Sequence, residues 1–219
     1  MTGRIARRAL VPLALVVGVL ARLALQPLAA DEVIDRVVAV VEGDLIMQSD
    51  VNAVRTLGLS WTSSGAASDD VVSQLIDRAL VLSEIERYSP PEPTPAAIDV
   101  RVRAVRERFS SPETFGQALA RVGFSEQRLR QTLRQDLRID AYLQQRFTTP
   151  MPTDDELNAY YQTHREEFAD GGRQLTVVEA RDRIDHAVRQ ARHASLVAEW
   201  VAGLRRRASI MRVSASNGG

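Results

Sequence analysis

The sequence predicts a mainly α-helical fold with a small β element, formed by an N-terminal hairpin and a C-terminal strand. Three observations lead to this prediction. A β-branched apolar run lies near 36–41, apolar residues recur at helical spacing through most of the remaining chain, and a short alternating segment follows at 209–213. The length of 219 residues and the apolar content of 45% are typical of one globular domain with a short tail at each end.

The N-terminus has the three-part layout of a secretory signal peptide. Basic residues precede an apolar run over 9–21, and small residues close the segment at Ala30, before an acidic pair. We predict a signal peptide over 1–30, its cleavage after Ala30, and export to the periplasm. A retained membrane anchor is the alternative, but Arg22 and Pro27 interrupt the segment, whereas a spanning helix needs about 20 apolar residues.

Composition excludes several classes of function. From Asp31 onward, 24 arginines face 28 acidic residues, a formal charge of minus four. Nucleic-acid binding requires a concentrated basic face, which this balance does not supply. The chain has no cysteine and no glycine-rich phosphate loop, so we expect neither thiol chemistry nor nucleotide binding.

The first structural element is a hairpin over 35–47. Its apolar strand is followed by the turn pair Gly43-Asp44 and by the returning run Leu45-Ile46-Met47. Ser49-Asp50 then predicts the cap of a short helix that ends near Leu57. Residues 60–68 are rich in serine, glycine and alanine and are expected to form a loop.

Helices are predicted from there to residue 168. Asp69-Asp70 opens a helix whose broad apolar stripe predicts a central core position. The stripe consists of Val72, Leu75, Ile76, Ala79, Leu80 and Leu82. Further helices are predicted to begin at Thr94-Pro95, Ser111-Pro112, Phe124-Ser125 and Thr153. The predicted apolar face of the helix that begins at Thr94-Pro95 is Ile98, Val102, Val105 and Phe109, and that of the helix that begins at Phe124-Ser125 is Leu129, Leu133, Leu137 and Ala141.

Two capping boxes mark the C-terminal third of the chain. Thr153 with Glu156 opens a helix over 154–168, which Gly171-Gly172 ends, and Thr176 with Glu179 opens the closing helix, which runs to about Arg207. The inner face of the closing helix is predicted to consist of Ile184, Val188, Ala191, Val197, Val201 and Leu204. The alternating segment after it is expected to pair with the N-terminal hairpin, so that the closing helix and strand span about 176–213.

No set of residues predicts catalysis or metal binding. His186 and His193 lie seven residues apart on one helix, but a metal site would need a third ligand, and surface histidines explain the spacing equally well. The acidic groups Asp69-Asp70 and Asp154-Asp155-Glu156 begin helices, where they favour the helix dipole. We therefore predict a non-enzymatic protein without metal or cofactor.

A protein that binds unfolded chains needs apolar side chains outside its core. Trp61 is the best candidate, because it lies in a loop rich in serine and glycine. Four further aromatic residues are candidate contacts for such chains, called clients below: Phe109, Phe115, Tyr160 and Tyr161.

The order of motifs resembles that of the N-terminal domain of SurA-type periplasmic chaperones. The residues involved are the segment Arg36-Val37-Val38-Ala39-Val40-Val41-Glu42-Gly43-Asp44-Leu45-Ile46-Met47-Gln48-Ser49-Asp50-Val51, the helix at 74–82, Phe124-Ser125-Glu126-Gln127-Arg128-Leu129-Arg130, and the segment 152–161 with its Tyr160-Tyr161 pair. The closing helix and strand also resemble the element that completes this domain in the family. The resemblance spans most of a domain over 31–213, followed by a flexible tail at 214–219.

The resemblance implies an ATP-independent chaperone whose partners are unfolded exported proteins, chiefly outer-membrane protein precursors. Many relatives carry a parvulin-type prolyl isomerase domain before the closing helix, whereas only Ala169 to Gln174 lie at that position here. A domain needs at least about 50 residues, so none fits. Two alternatives stay open: a dedicated assembly partner of one envelope complex, and a prolyl isomerase.

Overall fold

A computed structural model describes residues 35–59, 70–88 and 90–213 of the chain. The predicted signal peptide, Trp61 with most of its loop, and the predicted tail lie outside the described residues. Within them, seven α-helices and a small three-stranded antiparallel sheet confirm the predicted fold class.

The elements follow one another in the predicted order, apart from a short hairpin between the sixth and seventh helices. The first strands and helices are β1 (Val37–Val41), β2 (Asp44–Met47), α1 (Gln48–Leu57), α2 (Val71–Glu86), α3 (Pro95–Arg106) and α4 (Pro112–Arg121). The remaining elements are α5 (Glu126–Arg146), α6 (Asp154–Thr163), β3 (Ala169–Asp170), β4 (Arg173–Gln174), α7 (Arg181–Arg207) and β5 (Ile210–Arg212).

The main sheet has the strand order β2-β1-β5, so the C-terminal strand pairs with the N-terminal hairpin as expected. The hairpin turn is Glu42-Gly43, one residue earlier than predicted, and both residues have positive φ angles, 51° and 95°. This two-residue turn matches the twist of the strands that it joins. On the other side of β1, Glu42 N–H donates to Ser209 O at 3.0 Å.

The start of α1 differs from the prediction. Met47 is the N-cap, and Ser49 and Asp50 lie inside the first turn, where Asp50 still contributes to the cap through its side chain. Asp50 accepts a hydrogen bond from Met47 N–H at 2.9 Å, and Asp35 accepts one from Ser49 N–H at 3.0 Å. The later caps at Asp70, Thr94, Ser111, Ser125 and Thr153 agree with the sequence.

Helix α2 occupies the centre of the main core, as predicted, and packs against β1, α5 and α7. Its buried side chains include Ile76, Leu80, Val81 and Ile85. Among the described residues, Asp77 is the one charged side chain that is buried, and Arg205 of α7 donates to its carboxylate. The same guanidinium donates to Ser73 O at 3.0 Å, so it joins the two central helices.

A second core forms between α1, α3, α4 and the first half of α5. Phe124 precedes the N-cap Ser125 of α5 and is buried in the same cluster as Leu129. Further along α5, the prediction of Leu137 and Ala141 as core residues is wrong: Leu137 is half-buried and Ala141 is exposed. A spacing of four residues advances about 400° around a helix, so such a stripe drifts away from a fixed neighbour.

A smaller cluster joins α6, the β3–β4 hairpin and the first half of α7. Its buried residues are Leu157, Tyr161, Phe168, Leu175, Ala180, Ile184 and Val188. The helix predicted over 154–168 ends at Thr163, and Gly171-Gly172 forms the turn of a hairpin that the sequence analysis did not predict. Thr176 and Glu179 make the predicted capping hydrogen bonds, although regular helix begins only at Arg181. On α7, Ala191 is exposed, contrary to the prediction.

Candidate functional site

A groove of about 450 Å³ lies beside β2 and is bounded by α1, α2 and α5. We call it the β2 groove. Its lining includes nine apolar residues, namely Leu45, Ile46, Ala53, Val54, Leu59, Leu75, Ala79, Leu82 and Phe124. Its volume lies within the range of sites that bind small molecules or short peptide segments.

One face of α2 forms the floor of the β2 groove. Leu75, Ala79 and Leu82 line it at helical spacing, and each is half-buried although the sequence predicts them as core. The reason is that the apolar stripe of α2 is broader than the fully buried part of the main core: Ile76 and Leu80 are buried in the core, while the flank that lines the groove packs against the edge of the core and stays partly exposed. The floor is therefore apolar and accessible from the groove.

The groove runs along an edge of the sheet. Asp44, Leu45 and Ile46 are consecutive residues of β2 whose side chains alternate between the two faces, yet all three line the groove. The three residues share only the backbone edge of β2 that does not pair with β1. We infer that the groove lies against this free edge.

The hydrogen-bonding pattern of the hairpin directs the backbone N–H and C=O groups of one β2 residue toward the groove. Val41 and Asp44 flank the two-residue turn and form a hydrogen-bonded pair, so the next pair, Val40 with Leu45, is not hydrogen-bonded. The N–H and C=O of Leu45 consequently point away from β1. Farther along, Met47 N–H is already bound to the Asp50 carboxylate. Among the described residues, the free edge of β2 therefore offers one donor and one acceptor, both at Leu45.

The outer face of the sheet continues this apolar surface. Leu45 and Met211 both oppose Val40 across the strands, and their side chains are 58% and 66% exposed. The solvent-exposed face of an antiparallel sheet usually carries polar residues, so two exposed apolar residues on this face are unusual.

Ion pairs fix the walls of the β2 groove. Arg78 of α2 pairs with Asp136 of α5 at 2.7 Å and also donates to Gln135 at 3.0 Å. Arg128 of α5 pairs with Asp50 of α1 at 2.8 Å. These contacts hold the three helices that bound the groove at set distances, so the cavity does not depend on a ligand to form.

A second groove, of about 480 Å³, lies between α3, α5 and α7 and shares Leu59 and Asp136 with the first. Its most unusual group is Asp140, whose pKa burial raises, while the Arg101 guanidinium at 2.7 Å acts in the opposite direction. Seven of its fourteen lining residues are polar or charged, and none of the described strands contributes to the lining. It is less suited to an apolar chain than the β2 groove.

The predicted aromatic contacts do not assemble into one site. Phe115 and Tyr161 are buried, which removes them from any client surface: Phe115 packs in the second core, and the Tyr161 hydroxyl donates to Leu175 O at 2.5 Å. Phe109 is half-buried, with its ring centroid 5.7 Å from that of Phe115. Tyr160 is half-buried and stacks on His164 at 3.9 Å. None of these four lines the β2 groove.

Within the part of the chain that the structure describes, no group of three or more histidine, cysteine, aspartate or glutamate side chains is arranged to hold a metal ion. The ring of His193 lies 3.3 Å from Leu143 O, at the side of the second groove. No helix in the described ranges is both long and apolar enough to cross a lipid bilayer.

Comparison with known proteins assigns no family. No protein-family model matches the chain, and no curated protein is significantly similar to it. The resemblance to SurA-type chaperones therefore depends on the order of short motifs alone.

Proposed function

We propose that this protein is an ATP-independent periplasmic chaperone that holds extended segments of unfolded exported proteins, chiefly outer-membrane β-barrel precursors, in the β2 groove. The observation that carries the proposal is an apolar groove that runs along the free edge of a strand. The motif order shared with SurA-type N-terminal domains supports it, as does the predicted signal peptide.

The edge of β2 favours an extended ligand over a helical one. A helix satisfies its own backbone groups, whereas an extended segment presents free N–H and C=O groups that can pair with those of Leu45. Apolar side chains of the segment then contact Leu75, Ala79 and Leu82 on the floor. Unfolded barrel strands match this requirement because they alternate apolar and polar residues and expose unpaired edges.

The short free edge keeps the binding of a single segment weak. Two backbone hydrogen bonds contribute about 1 kcal/mol each, and each apolar side chain buried on the floor contributes about 2 kcal/mol. With two or three such side chains the gross gain is about 6–8 kcal/mol, and ordering the segment reduces it further. The affinity for one segment is then no tighter than about micromolar, which permits release without nucleotide energy.

Light scattering tests the proposal. An unfolded outer-membrane porin is diluted from denaturant with and without the purified protein from Asp31, in the absence of nucleotide. Suppression of scattering that rises with dose and saturates near stoichiometric amounts is expected. No suppression by demonstrably folded protein would contradict a general holding function and would favour a dedicated assembly partner, which binds one protein tightly and does not prevent aggregation in general.

A further inference from the structure

The β2 groove carries an excess of negative charge on its lining. Four carboxylates and two guanidinium groups line it, which leaves a formal charge of minus two at neutral pH. These six charged residues are Asp44, Asp50, Arg78, Glu86, Arg128 and Asp136. An apolar groove with an unbalanced charge discriminates among ligands by sign as well as by size.

Both guanidinium groups are already engaged inside the protein. Arg78 is bound to Asp136 and donates to Thr132 O at 3.2 Å, and Arg128 pairs with Asp50 while it lies 4.3 Å above the ring of Phe124. The carboxylate paired with each guanidinium is therefore Asp136 or Asp50, and neither guanidinium pairs with Asp44 or Glu86.

Asp44 and Glu86 provide the uncompensated charge. Among the described residues no ion pair or side-chain hydrogen bond reaches either carboxylate. Glu86 is the last residue of α2, where the helix dipole is negative, and the last turn of α2 carries no basic residue. Arg87 follows, but its guanidinium pairs with Glu84 at 3.4 Å.

We propose that the β2 groove selects extended apolar segments that also carry a basic side chain, which Asp44 and Glu86 receive. This inference rests on the proposed function and specifies its ligand. A segment that covers the groove removes water from both carboxylates, and a lysine or arginine in the segment replaces part of that lost solvation. An acidic segment meets repulsion instead, and a neutral one leaves the two charges partly desolvated.

Three fluorescent peptides test the selectivity. They share one extended, alternating apolar sequence and differ only at a central position, which is lysine, glutamine or glutamate. Fluorescence anisotropy at low salt should show the lysine peptide binding about tenfold more tightly than the glutamate peptide, with the glutamine peptide between them. At about 1 M salt, where the screening length falls to about 3 Å, the three dissociation constants should converge.

The double variant Asp44→Asn with Glu86→Gln should lose the preference for lysine and retain binding of the glutamine peptide. The matched control is Asp182→Asn with Glu199→Gln, which removes two exposed carboxylates of α7 that line neither groove and should leave the preference intact. Circular dichroism and thermal unfolding serve as the check that both double variants are folded.

The possible failures are distinguishable. Equal binding of all three peptides at low salt, or tighter binding of the glutamate peptide, would overturn the charge selectivity and leave the groove as a peptide site. Binding of none of the peptides by folded protein would overturn the proposed function and the selectivity with it.

Discussion

Ala79 offers the sharpest test of the groove floor. It is a small, half-buried residue of α2, one turn from both Leu75 and Leu82, and its side chain lines the β2 groove. The substitution Ala79→Gln places a polar amide on this floor without changing the net charge. Glutamine is a good helix former, so the loss of helix propensity lowers the free energy of unfolding by at most about 0.5 kcal/mol.

The expected loss of binding follows from desolvation. In the free protein the new amide is hydrated through the open groove, but a bound apolar segment would cover it. Covering a polar group without a matching partner costs about 1–3 kcal/mol. We therefore expect the dissociation constant of a neutral, alternating apolar peptide to rise about 10- to 100-fold, measured by fluorescence anisotropy.

The matched control is Ala141→Gln, an identical change at an exposed position of α5 outside both grooves. It should leave the dissociation constant within about twofold of the wild-type value. If Ala79→Gln binds the peptide as tightly as the control does, while both variants unfold at the wild-type temperature, the floor of the groove does not contact the ligand.

Three further predictions concern the fold that holds the groove. Replacing Asp77 by alanine removes the carboxylate that binds Arg205, and should lower the free energy of unfolding by about 1–3 kcal/mol, read from the urea midpoint; an unchanged midpoint would show that this pair does not stabilise the helices. Hydrogen bonds from the Thr153 backbone and hydroxyl hold the pKa of Glu156 below its ordinary value of 4.5, so the stability it adds is present at neutral pH and is lost as the pH falls through the lowered pKa. Glu156→Gln should accordingly lower the thermal midpoint at pH 7, and its difference from wild type should narrow below pH 4.5; a constant difference would contradict the linkage. Gly43→Ala should lower the free energy of unfolding by about 1 kcal/mol, measured by thermal unfolding, because the turn requires a φ of 95° at this residue. An unchanged free energy of unfolding would argue against this turn geometry.

Local signals in the sequence predict much of the fold. The capping box of Thr153 with Glu156 is present with the expected bonds, since both partners lie within one helical turn. The hairpin is also found close to its predicted place, because a two-residue turn between apolar runs fixes its own register. These features depend on residues near one another in the chain.

The β2 groove could not be predicted in this way. Leu75 and Leu82 belong to the same apolar stripe as Ile76, and nothing local separates the flank that is fully buried from the flank that stays partly exposed in the groove. That difference is decided by where α5 and β2 lie against α2, which depends on residues far apart in the sequence. The breadth of the stripe was the available signal, since a helix with one packed face needs a narrower one.

The aromatic residues were misleading for a related reason. Phe115 and Tyr161 were candidates because large apolar side chains suit client binding, but the same side chains contribute most to a small core. Phe115 fills the second core and Tyr161 the cluster around α6. The candidate site is instead built from leucine, alanine and a strand edge, which carry no distinctive sequence signal.

Site-specific photo-crosslinking tests most directly whether unfolded chains occupy the β2 groove. A benzophenone-bearing amino acid replaces Gln131, an exposed residue at the groove, or Gln145, an exposed residue of the same helix that lines neither groove. The two positions are 14 residues apart, about 21 Å along α5. With an unfolded porin and no nucleotide, irradiation should give crosslinks from position 131 and few from position 145. Equal crosslinking from both positions, or none from 131 under conditions in which aggregation is suppressed, would contradict binding in the groove.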